Sequence, residues 1–165
     1  MSLAQRPFSE LLAAFRAPAP TPGGGSASAL AEGGVTATLL PNAAFYLKLG
    51  RFAPARDLIA AGVPVALATD INPGAGFSPS MPFAMTLACF AMGMTFEESL
   101  AAATINGAWA LDRADIVGSL EPGKQMDAVV IEGEAINLIR VGAPSIAAVI
   151  KSGRIVHESR PTALQ

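Results

Sequence analysis

Cysteine is almost absent: a single residue, Cys89, occurs in 165. That excludes an intrachain disulfide and any zinc site built from several cysteines, and it fits a reducing compartment. Basic clusters are missing too. Eleven Lys and Arg stand against 13 Asp and Glu, for a net charge of −2 and a pI near 5.3. No stretch gathers the cations needed to follow a phosphate backbone, so no nucleic acid is expected as a partner. No apolar run reaches the roughly 18 residues of a membrane span, so no membrane is expected either. The run Ala27-Ser28-Ala29-Leu30-Ala31 imitates a signal cleavage site, but Glu10 and Arg16 interrupt what would be the apolar region before it. The expected location is cytoplasmic.

Apolar residues are plentiful, at 52% hydrophobic against 15% charged. A chain of this size buries roughly 70% of the surface its unfolded form exposes, enough for one globular domain and not for two. Residues 8–17 set Leu11, Leu12 and Phe15 at helical spacing, and the Ala17-Pro18 step closes that pattern. Pro18, Pro20 and Pro22 with Gly23-Gly24-Gly25-Ser26 then read as a loop or linker, with a boundary before Gly34.

A strand is expected over residues 35–40, ended by Pro41 and Asn42, and a helix over 54–61 with Gly62 just past its end. Residues 63–69 are almost wholly apolar, as in a parallel strand covered on both faces. Strand, helix, strand in that order gives a right-handed βαβ unit. A helix follows over 82–91, and after Gly93 another is opened by Thr95 with Glu98 three residues on, the capping-box pattern. Beyond Leu111 the runs 127–131 and 145–151 are β-branched, and Ser152-Gly153 joins 146–151 to 154–158 as a two-residue hairpin loop. The tail 160–165 is expected to fray.

Asp70-Ile71-Asn72-Pro73-Gly74 stands immediately after the apolar strand. Two readings are open. These residue types all favour turns, each for its own reason. The C-terminal end of a parallel strand is also where an α/β barrel places catalytic and metal-binding groups.

Around this pentapeptide the stretch from Gly33 to Val156 resembles imidazolonepropionases, of the metal-dependent amidohydrolases. The resemblance is carried by Ala37-Thr38-Leu39-Leu40-Pro41 with Ala44-Phe45-Tyr46, by Ala66-Leu67-Ala68-Thr69-Asp70 with Asn72-Pro73-Gly74, and by Met85-Thr86-Leu87-Ala88-Cys89. Thr104-Ile105-Asn106-Gly107-Ala108 and Gly118-Ser119-Leu120-Glu121-Pro122-Gly123-Lys124 with Asp127 resemble the ending shared by many such hydrolases. The resemblance implies hydrolytic opening of imidazolone-propionate to N-formimino-glutamate in histidine degradation. It implies Asp70 as a metal ligand and catalytic proton carrier, and Asn72 and Gly74 as substrate contacts. Ala75 stands where a hydroxyl residue commonly follows the glycine.

The metal in such enzymes, zinc or iron, needs about three or more protein ligands and an open position for water. The family draws most of these from histidines, and the whole chain has one, His157, expected on the late hairpin. A lone carboxylate neither holds a transition metal nor acidifies its water. The expectation is a truncated relative, inactive alone and without bound metal, which would take a small-molecule substrate only if its site were completed. Its fold class is α/β: an incomplete TIM-barrel-like set of last βα units, then the C-terminal β-strands of the amidohydrolase composite domain. Two open parallel strands invite self-association or a partner chain. Two other readings stay open: an accessory fragment docking on a full-length partner, and a hydrolase completed in trans.

Phe8-Ser9-Glu10-Leu11-Leu12 with the stretch from Pro20 to Leu30 resembles the opening of the formiminotetrahydrofolate cyclodeaminase family, also of histidine degradation. The domain reading is thus a cyclodeaminase-like remnant at 1–32, a partial barrel at 33–112, a β-strand segment at 113–158 and a tail at 159–165. Met81, Met85, Cys89, Phe90, Met92, Phe96 and Trp109 are read as packing residues. Adjacent Glu97 and Glu98 point about 100° apart on a helix and cannot form an acid/base pair. Gly123-Lys124 lacks the context of a phosphate-binding loop.

Overall fold

In the computed structural model residues 33–159 are described. The helix expected over 8–17, the Pro/Gly-rich segment, the cyclodeaminase-like stretch and the tail 160–165 lie outside them. Two small sheets are present. Strand β1 (Ala37–Leu39) leads through helix α1 (Pro41–Tyr46) and α2 (Ala55–Ala60) to β2 (Val65–Leu67), and β2 lies parallel to β1 in the register Ala37↔Val65, Thr38↔Ala66, Leu39↔Leu67. Every residue of β2 is buried, as its unbroken apolar sequence requires. At roughly 1.5–3 kcal/mol for each large aliphatic side chain taken out of water, Val65 and Leu67 anchor this sheet.

Helices α3 (Met81–Met92) and α4 (Phe96–Ala103) follow. Ser80 caps α3 by accepting from Phe83 N–H at 3.2 Å, and the helix stops at Gly93, whose φ of 70° is left-handed. Thr95 and Glu98 form the capping box of α4. Glu98 does more than the sequence pattern foretold. Its carboxylate also receives the Arg56 guanidinium of α2 in a two-pronged pair, and Arg56 donates at 3.2 Å to Gly93 O. One cation thus joins α2, the end of α3 and the start of α4. Arg56, and next the Thr95 N–H, hold the Glu98 carboxyl below its ordinary range.

Helix α5 (Ile105–Ala110) precedes a three-stranded antiparallel sheet of β3 (Ala128–Ile131), β4 (Ile146–Lys151) and β5 (Arg154–Glu158), with α6 (Asn137–Arg140) between β3 and β4. The expected hairpin loop is there, with Ser152 at φ 51° and Gly153 at φ 75°, the left-handed pair that matches the twist of the flanking strands. The core joins Leu39, Leu58, Val65, Leu67, Met85 and Met92 with Leu138 of α6.

Two sequence expectations need correction. Pro41 and Asn42 do not simply end a strand; Pro41 starts α1, where its missing N–H and fixed φ suit the first helical position. Phe90 and Trp109, read as packing residues, are 78% and 62% exposed. Both lie on helix faces turned from the core, and for Phe90 the near-uniform apolar content of α3 hid which face that is.

Candidate functional site

Because β1 and β2 are parallel, the chain leaves both at the same edge of the sheet. Leu39 pairs with Leu67, so Asn42 and Asp70 each follow three residues beyond that last pair. Asp70 is half-buried and adopts φ 49°, a left-handed conformation that Asp tolerates better than most residues. That reversal folds the next residues into a tight loop. Gly76 N–H donates to Asp70 O at 3.0 Å, Asn72 N–H to Gly76 O at 3.3 Å and Ala75 N–H to Asn72 O at 3.3 Å. Gly76 is required here, since a Cβ at that position would lie 2.4 Å from Thr69 O.

Side chains complete the loop. Asn72 Nδ2 donates to both Asp70 O and Asp70 Oδ1 at 3.0 Å, while Asn72 Oδ1 accepts from Gly74 N–H at 2.9 Å. Asp70, Asn72 and Gly74, the three residues singled out from sequence, therefore form one hydrogen-bonded unit. Asn72 aims the carboxylate and fixes the Gly74 amide at once. The turn reading describes this segment directly, and the turn holds the Asp70 carboxylate at the strand end.

Two contacts that sequence reasoning missed secure the loop from outside. Asn42 is fully buried and donates its Nδ2–H to Ser78 O at 3.2 Å. Phe77 stacks edge-on against Tyr46 at 5.5 Å between ring centroids, and Tyr46 in turn meets Phe45 and Phe83. Phe77 itself is 63% exposed. The available signal was the aromatic pair Phe45-Tyr46 placed one helical turn after Pro41, which would have placed a short helix there.

A transition-metal centre does not fit the described residues. Among them no three His, Cys, Asp or Glu side chains converge on one point, and such a centre needs three or more protein donors. His157 lies exposed on β5, opposite Val149. Cys89 is half-buried with its Sγ 3.4 Å from Ser99 Oγ and 3.7 Å from Thr95 O. Glu97 is exposed, whereas Glu98 is committed to Thr95 and Arg56.

The segment after Gly118 is a structural turn. Lys124 Nζ donates to Ser119 Oγ at 2.6 Å and lies 3.3 Å from Glu121 Oε1. A shallow depression of about 300 Å³ opens beside it, lined by Ser119, Leu120, Glu121, Lys124, Gln125 and Met126. None of Asp70, Asn72 or Gly74 lines it. Asp127 accepts from Ser152 N–H at 2.8 Å and pairs with Lys151. Lys151 first, then Ser152 and Gln125, draw its carboxyl down to about 2.

The model of the amidohydrolase family matches residues 21–156. An imidazolonepropionase of Geobacillus kaustophilus is 50% identical over 131 residues, covering 77% of this chain and 30% of that protein. Among solved structures, guanine deaminase of E. coli superposes with a TM-score of 0.67 at 25% identity, over 82% of this chain and 36% of that one. Atrazine chlorohydrolase of Arthrobacter aurescens, complexed with zinc, shares the fold with a TM-score of 0.73 at 22% identity, over 88% and 36%. The chain spans about 30% of the length of the imidazolonepropionase it matches.

Proposed function

The chain belongs to the amidohydrolase family, and from that premise we propose that it serves the hydrolysis of imidazolone-propionate to N-formimino-glutamate, by contributing one wall of the active site. The observation that carries this reading is the Asp70 carboxylate, held at the end of a buried parallel strand by the Asn72 amide at 3.0 Å. β1 and β2 are then the last strands of a barrel, whose catalytic groups emerge at the end where Asp70 stands.

Ring opening adds water across a C–N bond. In this reading Asp70 takes a proton from the attacking water and returns it to the departing ring nitrogen, a general base and acid in turn. Asn72 keeps the carboxylate facing the ring. The Gly74 N–H, now bonded to Asn72 Oδ1, turns to a substrate oxygen when the loop receives it. A carboxylate alone leaves water close to its bulk acidity, and the lowering that a bound metal provides needs donors that the described residues do not bring together. We therefore place the remaining ligands outside these 165 residues, and the isolated chain is inactive.

The test compares the purified chain alone with the same chain co-expressed with the N-terminal part of a full-length imidazolonepropionase. Loss of the imidazolone ultraviolet band reports turnover. None is expected from the chain alone, and turnover in the reconstituted pair should disappear with Asp70→Asn. Ring opening by the chain alone, abolished by Asp70→Ala, would contradict the proposal.

A further inference from the structure

The loop that carries Asp70 is closed at its base by Gly76 N–H, which donates to Asp70 O at 3.0 Å. Its far end is held by a different element. Asn42, in the first turn of α1, donates Nδ2–H to Ser78 O at 3.2 Å. Ser78 Oγ in turn accepts from the N–H of Ser80, the capping residue of α3, at 3.2 Å. One amide thus fastens the end of β1 to the point where the loop enters α3.

That amide is fully buried, with 0% exposure, and its Oδ1 has no hydrogen-bond partner. A buried carbonyl oxygen without a donor destabilises a fold. Leucine, of similar size, would fill the same space without the orphaned Oδ1, and would leave the half-buried Ser78 O to water. Packing therefore does not explain an amide here. What the amide does, and leucine cannot, is donate to Ser78 O.

We infer that Asn42 is a positioning residue for the Asp70–Ser78 loop, acting through the Ser78 carbonyl to keep the loop folded down beside β1. It touches no reacting atom. Its catalytic consequence rests on the function proposed above, whereas the tether itself does not. Asn42 and Asp70 each follow three residues after the last register pair, Leu39↔Leu67, so a slack tether displaces Asn72 and Gly74 while the strands stay in place.

The test is site-resolved hydrogen exchange on the full chain carrying Asn42→Leu, with Asn42→Ala as a second variant should leucine overpack. Loss of one neutral hydrogen bond corresponds to about a five- to tenfold rise in local opening. That rise is expected at the Gly74 and Gly76 amides, with exchange in β2 and α3 unchanged and the melting temperature of Asn42→Leu equal or higher. Unchanged exchange at Gly76 in both variants would overturn the inference. So would a uniform rise through β2 and α3 with a lower melting temperature, the signature of a merely structural residue. In the reconstituted pair, Asn42→Leu should raise KM severalfold at constant metal content. A reconstituted wild type without turnover would sink the proposed function and leave the exchange result to decide the tether.

Discussion

Gly76→Ala is the sharpest probe of the loop's construction. A Cβ on residue 76 would stand 2.4 Å from Thr69 O and 3.0 Å from Asp70 O. Both are backbone atoms, so no side chain can swing away to make room. Reaching ordinary contact needs a shift of roughly 1 Å, and overpacking of that kind costs about 1–3 kcal/mol. For a chain of this length each kcal/mol lowers Tm by about 2–4 °C, so a mid-range loss of about 2 kcal/mol corresponds to a drop of about 4–8 °C. The natural comparison is Gly107→Ala. There the nearest atom is Ala102 O at 3.5 Å, ordinary contact, within helix α5. Alanine should stabilise that helix by about 0.5–1 kcal/mol. Thermal melts followed by circular dichroism should therefore move in opposite directions for two substitutions of identical chemistry. If Gly76→Ala melts with the wild type, the close approach of residue 76 to the Thr69 and Asp70 carbonyls is wrong, and with it the stated geometry of the carboxylate.

Thr95→Ala removes the cap of α4 and should cost about 1 kcal/mol in chemical denaturation, while Thr95→Ser retains most of it. The Asp127 carboxyl, held at about 2 against an ordinary 3.8, binds protons less readily when folded than when unfolded. Its contribution to stability is therefore complete above about 3.8 and fades as pH falls toward 2, and acid titration of Asp127→Asn should lack that slope. Ser152→Asn places a better left-handed residue at φ 51° and should add about 0.5 kcal/mol to the hairpin, read as a higher Tm. The β1–β2 sheet has no further strand among the described residues, and such edges pair with other chains. Light scattering after size exclusion should show self-association; a single sharp monomer peak would argue against it.

The parts of the fold legible in the sequence were those written in local chemistry. Thr95 with Glu98, Gly93, Gly62 and Ser152-Gly153 each encode a conformation by residue type, and each lies where expected. β2 was legible because a short apolar run before Asp70 has few other uses. Helix α5 was not, since Asn106-Gly107 resembles a turn; the Asn106 amide instead reaches 2.9 Å to Val65 O of β2, a contact between residues 41 positions apart. Asn42 escaped for the same reason. Its role depends on Ser78, which only the folded chain brings to it. Asp70, Asn72 and Gly74 were readable as a group because their hydrogen bonds are local.

Metal content by mass spectrometry, on purified chain dialysed with zinc or iron and then washed, bears most directly on whether these residues form a complete catalytic centre. Far less than one ion per chain is expected, with one per assembly appearing only when the missing donors are supplied. One tightly held ion per isolated chain, released by Asp70→Asn, would mean that the site is whole without them.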